Sequence, residues 1–199
     1  MTTAKRKRMP RAEREQQMIA VAEQVFTERG YATASMDEIA EQVGVSKPML
    51  YEYFHSKEGL LLACIRQSRA ALREITAEAT LGATSAEDAL RKGLLAFFVF
   101  IRERREAWSL LRQEMALIGT SATAEIEETR RQQTNLITAL LNDHLDAGDI
   151  VQAEASAEIV VGACERLAIW CERFPEVTPE TATGYAMEVL WTGLSQRAS

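Results

Sequence analysis

The chain has 199 residues, 47% of them hydrophobic and 26% charged. That is enough apolar content for a packed core, and the longest apolar run, Gly93 to Ile101, is far short of the about 20 residues a bilayer-spanning helix needs. The net charge of −6 is unevenly placed: residues 1–14 carry six Lys or Arg against one Glu, whereas residues 61–199 carry fourteen basic residues against twenty acidic ones.

The basic start, MTTAKRKRMPRAERE, has no apolar segment behind it and does not read as a secretory leader. A cytoplasmic chain is expected. Such asymmetry suits a start that meets a polyanion, or else a tail that only aids solubility. After Pro10, helical periodicity fits nearly the whole chain, and alternating β-branched runs are missing. About nine helices are expected. The first runs from about Arg11 to Arg29, with Ile19, Ala22, Val25 and Phe26 at helical spacing and Gly30 as its stop. The second begins after Ser35, where Ser35-Met36-Asp37-Glu38 reads as a capping box, and ends at Gly44. The third runs from about Lys47 to Phe54, with Ser46 as N-cap and Pro48 in the first turn. Ser56 caps a fourth, from Lys57 to about Glu78. Five longer ones follow: Ala86 to Arg104, about Ala107 to Ile118, Ala122 to Leu145, Ala153 to Arg173, and Pro179 to Gln196.

Two short helices joined by Gly44-Val45-Ser46 make a helix-turn-helix pattern, with Val45 and Leu50 as expected buried anchors. The second helix of such a motif offers its N-terminal residues to the major groove of DNA. Here these are Lys47, Pro48, Met49, Tyr51 and Glu52. Leu50 and Phe54, four apart, suit the small core, and Tyr51 lies on another face with its hydroxyl in reach of a phosphate. Tyr53 suits either the groove edge or packing. Lys57 adds an ammonium to a helix N-terminus, which favours a phosphate. A mobile basic arm carrying Arg6 and Arg8 is placed for the adjacent minor groove. Capped aromatic helices also occur in plain helical bundles, so spacing alone leaves both readings open.

The stretch IAVAEQVFTERGYATASMDEIAEQVGVSKPMLYEYFHSKEGLL, from Ile19 to Leu61, resembles the DNA-binding domain of the TetR family of bacterial transcriptional regulators. Phe26, Gly30-Tyr31, Ser35-Met36, Ile39-Ala40, Gly44-Val45-Ser46, Leu50-Tyr51, Phe54 and Ser56-Lys57-Glu58 carry the resemblance. It implies an all-α chain: a basic arm (1–10), a three-helix DNA-binding domain (11–56) and a larger helical ligand-binding and dimerisation domain (57–199). Within the last, residues 57–78 would connect the two and residues 153–196 would pair the dimer. It further implies that Ser35, Tyr51 and Lys57 hold the phosphate backbone, with Tyr53 a further candidate. Lys47, Pro48 and Met49 would face the groove of a double-stranded operator, with Ser46 a further DNA-binding residue. Pro48-Met49 departs from the family's usual small residues, which leaves the base preference open.

The last two helices are apolar on more than one face, as expected where one side meets the chain's own core and the other a second copy. Leu167, Trp170, Met187, Leu190, Trp191 and Leu194 are the expected dimer residues. In the family the middle helices enclose a small-molecule pocket, and Phe97, Trp108, Met115 and Cys164 are the candidate contacts for an apolar effector. The resemblance thus implies a homodimeric repressor released from its operator by a small ligand.

No cofactor and no enzyme activity are expected, since neither GxSxG nor a phosphate-cradling glycine loop occurs. Two histidines, His55 and His144, are too few for a metal cluster. Three widely spaced cysteines, Cys64, Cys164 and Cys171, exclude a disulfide framework. A variant of the same fold with a vestigial effector site, or one operated by redox through Cys164 and Cys171, stays open. The remaining alternative is a helical interaction protein that does not bind DNA.

Overall fold

The computed structural model describes residues 9–113, 123–144 and 150–195. Among the described residues there are nine helices and no strand: α1 (Arg11–Thr33), α2 (Met36–Val43), α3 (Lys47–Phe54), α4 (Lys57–Thr80), α5 (Ala86–Glu103), α6 (Arg105–Arg112), α7 (Thr123–His144), α8 (Ile150–Cys171) and α9 (Pro179–Ser195). Three differences from expectation have local causes. Helix α1 runs on to Thr33 across a break at Gly30, whose φ of 73° and ψ of 157° are not helical. Between α5 and α6 only Arg104 leaves the helix, because the Arg104 carbonyl already accepts from Trp108 N–H at 3.0 Å. Helix α8 starts at Ile150, since no breaker stands between Ile150 and Ala153.

The chain forms two compact units. The first holds residues 9–67 and, from much later in the chain, 109–113. Its α1 buries Met18, Ile19, Ala22, Val25 and Phe26 at three- and four-residue spacing. Helix α2 buries Met36, Ile39, Ala40 and Val43, and α3 buries Leu50 and Phe54. Burying each large apolar side chain is worth about 1.5–3 kcal/mol. Leu60, Leu61 and Ile65 of α4 are also buried. Val45, the other expected anchor, is only half-buried, because it lies in the turn rather than on a helix face.

The second unit holds residues 68–108 and the described residues from 124 onward. Helix α5 packs against α9 and α8, and α8 packs against α9. The inward face of α8 is built from small residues, namely Ala153, Ser156, Ala157, Val160, Cys164 and Ala168. Small side chains let helices approach closely. The bulk of α8 is therefore turned outward, where Ile159 is 64% exposed and Leu167 and Trp170 are half-buried. Val189 of α9 is 75% exposed, Tyr185 is exposed too, and Trp170 lies edge-on to the Tyr185 ring. Met187 and Leu194 do not share that outer surface. They are buried inside the unit, since α9 turns them the same way as Ala182, Thr183 and Ala186. Leu190 and Trp191 are half-buried.

Candidate nucleic-acid interface

The turn between α2 and α3 follows from one glycine. Gly44 adopts φ 77° and ψ 36°, a left-handed conformation that favours glycine. Its N–H donates to the Glu41 carbonyl and the Val45 N–H to the Ala40 carbonyl, the Schellman pattern that closes a helix. The chain then extends through Ser46 and enters α3.

Ser46 occupies the N-cap, but its side chain makes no capping bond. The Ser46 carbonyl instead accepts from Met49 N–H at 2.9 Å, and Pro48 brings no N–H that needs a partner. The exposed surface of α3 consists of Lys47, Pro48, Tyr51 and Glu52, with Ser46 before it. Met49 and Tyr53 are half-buried, and Leu50 and Phe54 point inward. Ser35 caps α2, accepting from Glu38 N–H at 3.1 Å. Only half of the expected capping box forms, because the Glu38 carboxylate pairs with Arg29 at 3.3 Å.

The cations around this surface already have partners. Lys47 Nζ lies 2.8 Å from the Asp37 carboxylate, and that hydrogen bond holds the lysine pKa above its ordinary value. The pair is exposed, and water and salt screen it. Lys57 Nζ donates to the Ala32 carbonyl at 3.3 Å and sits 4.7 Å from the Tyr31 ring centroid. Arg11, which spacing did not single out, covers the Tyr53 ring at 4.7 Å. Arg6 and Arg8 lie outside the described residues.

Between α3 and α4 the backbone makes a γ-type turn, with His55 at φ 64° and ψ −36° and Ser56 N–H donating to the Phe54 carbonyl at 2.7 Å. Ser56 then caps α4 by accepting from Gly59 N–H at 2.8 Å.

The second unit holds a cavity of about 80 Å³ among α4, α5, α7 and α8. Its wall is mainly hydrocarbon, from residues such as Leu90, Leu94, Leu136, Ile137 and Val160. Phe97 and Cys164 line it, and burial together with Glu165 pushes the Cys164 thiol up to about 12. Trp108 stands behind this wall. It packs edge-on to Phe97 at 6.1 Å, and its indole N–H donates to Glu172 at 2.9 Å. Met115 lies outside the described residues. Sequence reading missed the polar residues of the wall, Thr76, Thr80, Gln133 and Glu165. On exposed-looking helical faces they carried no local signal.

A glycine-turned helix pair that exposes a short second helix, carried on a chain whose second unit is a helical body with an apolar cavity, defines the class of helix-turn-helix regulators with a ligand-binding body. The chain matches "Bacterial regulatory proteins, tetR family" over residues 18–64 and "Tetracyclin repressor-like, C-terminal domain" over residues 86–193. It is 30% identical over 192 residues to the HTH-type transcriptional activator FasR of Mycolicibacterium smegmatis, covering 94% of this chain and 86% of that one. A TetR-like transcriptional regulator from Rhodococcus sp. RHA1 superposes with a TM-score of 0.73 at 32% identity, covering 94% of this chain and 99% of the other. FadR from Bacillus subtilis, solved in complex with stearoyl-CoA, shares the fold with a TM-score of 0.77 at 19% identity, covering 88% and 96%. The chain belongs to the TetR family and is a DNA-binding transcriptional regulator.

Proposed function

We propose that the chain acts as a cytoplasmic homodimer that binds a palindromic operator and represses transcription until a small apolar effector releases it. The observation that carries the DNA half of this reading is the exposed start of α3, where Lys47, Pro48 and Tyr51 stand clear of a core anchored by Leu50 and Phe54. Two such helices about 34–36 Å apart meet successive major grooves of one duplex face. Lys47, Pro48 and Met49 read or flank bases, while Ser35, Ser46, Tyr51 and Lys57 hold phosphates, with Tyr53 a candidate and Arg6 and Arg8 in the neighbouring minor groove. Lys47 exchanges Asp37 for a phosphate, which an exposed pair permits. In this reading residues 11–56 form the reading domain and residues 57–199 the regulatory one.

The dimer reading rests on the outward apolar surface of α8 and α9, with Ile159, Leu167, Trp170, Tyr185 and Val189 at its centre. The effector reading rests on the cavity. Its volume of about 80 Å³ is below the roughly 150 Å³ that holds a benzene. A larger effector therefore favours a state with these helices spread apart, and α4, which runs through both units, is the lever. That the same fold holds stearoyl-CoA in the Bacillus subtilis protein supports a hydrocarbon effector.

One observation favours a second reading, activation rather than repression: FasR, the relative 30% identical, is an activator. Redox operation is disfavoured, because Cys164 is buried and burial raises both its thiol pKa and that of the half-buried Cys171. The experiment is selection of duplexes from a random DNA pool by the purified protein at physiological salt, followed by a reporter carrying the selected site. A two-fold motif supports the dimeric reader, and reporter activity with and without the protein gives the sign. Recovery of no motif by folded dimer would return the chain to the class of interaction proteins.

A further inference from the structure

The cavity wall is not uniformly apolar, and its polar groups are specific about what they offer. Thr76 and Thr80 belong to the wall, but both hydroxyls donate back into α4, to the Leu72 and Ala77 carbonyls at 2.8 Å each. They leave only lone pairs for a ligand. Glu165, the one charged residue of the wall among the described residues, is paired with Arg130 at 3.2 Å. Gln133 is different. Its Oε1 accepts from Arg69 Nη1 at 3.2 Å, and Arg69 is itself buried. An arginine can only donate, so this contact fixes which end of the Gln133 amide faces it. The Nε2 end is left over, and among the described residues it has no hydrogen-bond partner.

We propose that Gln133 Nε2 is the polar anchor of the effector site, oriented by Arg69, and that the effector is a largely hydrocarbon molecule with an uncharged carbonyl. An ester, thioester, amide or ketone supplies the acceptor that Nε2 lacks. A free carboxylate would share the wall with the Glu165 carboxylate and is disfavoured. This proposal rests on the cavity being the effector site and adds the identity of its donor.

The test is displacement of the neutral fluorescent probe N-phenyl-1-naphthylamine from the full-length protein by methyl octanoate, octanoate and octane. In wild type the ester displaces the probe at lower concentration than the free acid. Gln133→Leu weakens the ester about tenfold relative to octane, the size of one lost hydrogen bond. Gln133→Glu keeps a partner for Arg69, and so guards against a folding defect, yet it replaces the donor by an acceptor and loses the ester equally. Equal weakening of ester and octane by both variants would overturn the anchor and reduce Gln133 to a packing residue. Preference for octanoate over the ester would overturn the uncharged-carbonyl class. If folded wild type takes up no probe, the cavity reading falls and the anchor falls with it. That outcome is distinct from probe bound normally but indifferent to Gln133.

Discussion

The side-chain amide of Gln113 closes the gap that Gly30 opens in α1: Gln113 Oε1 accepts from Tyr31 N–H at 3.0 Å, and Gln113 Nε2 donates to the Phe26 carbonyl at 3.2 Å. In an unbroken helix Tyr31 N–H would donate to the Thr27 carbonyl. The non-helical angles of Gly30 turn that N–H aside, and a residue 82 positions beyond Tyr31 supplies its acceptor. Gln113→Ala leaves both backbone groups with no side-chain partner. It is expected to destabilise the first unit by about 1–3 kcal/mol, read as a lower urea midpoint with unchanged slope. An unchanged midpoint would show that water replaces the amide at no cost.

Tyr51→Phe removes one exposed hydroxyl without disturbing Leu50 or Phe54. If that hydroxyl meets a phosphate, affinity falls by the same factor, about three- to tenfold, for the operator and for unrelated duplexes. Titration against single-base operator variants checks it. A loss confined to one base position would make Tyr51 a base reader instead.

Asp37 competes with DNA for Lys47. Asp37→Asn removes the rival anion 2.8 Å from the ammonium. Affinity is then expected to rise for all duplexes at low salt, with the gain shrinking as salt is added. Fluorescence anisotropy at several salt concentrations tests this. No gain would mean that Lys47 stays clear of the phosphates.

The helices were legible because their ends are written locally. Ser35, Gly44 and Ser56 each stand where a cap or a left-handed turn is required, and each makes the expected backbone contact. What was not legible depends on residues remote in sequence. Nothing near Gly30 announces Gln113. Nothing near Gln133 announces Arg69, since each looks like a solvated residue on its own helix. Apolar width told that α9 is apolar on more than one side, but not which side faces the core. Met187 and Leu194 face the core because small residues beside them let another helix approach, whereas Val189 faces out.

Burial raises the pKa of Cys64 and of Cys164, the latter to about 12 from 9.0. The folded chain therefore holds these protons longer than the unfolded chain does. The contribution is fully present below pH 9.0, and stability falls as pH rises from there toward 12, by up to about 1.4 kcal/mol per pH unit for each thiol. Urea midpoints at pH 8 and pH 10 measure the fall, and Cys164→Ala should make it shallower. An identical pH dependence in the variant would show that Cys164 ionises freely in the fold.

Val189→Asp places a charge on the outer face of α9. If that face pairs two chains, the variant is monomeric by light scattering, keeps its helical circular dichroism and loses operator binding. A dimeric variant would move the interface elsewhere.

The reading unit is completed by residues that come long after its own helices in the chain. Residues 109–113 belong to it, and Gln113 holds its first helix together at the break. During synthesis, α1, α2 and α3 can fold as soon as they emerge, but the gap at Gly30 waits until residue 113 has followed. A gene fragment cut after α4 would encode the whole helix-turn-helix and still yield an unfinished reader.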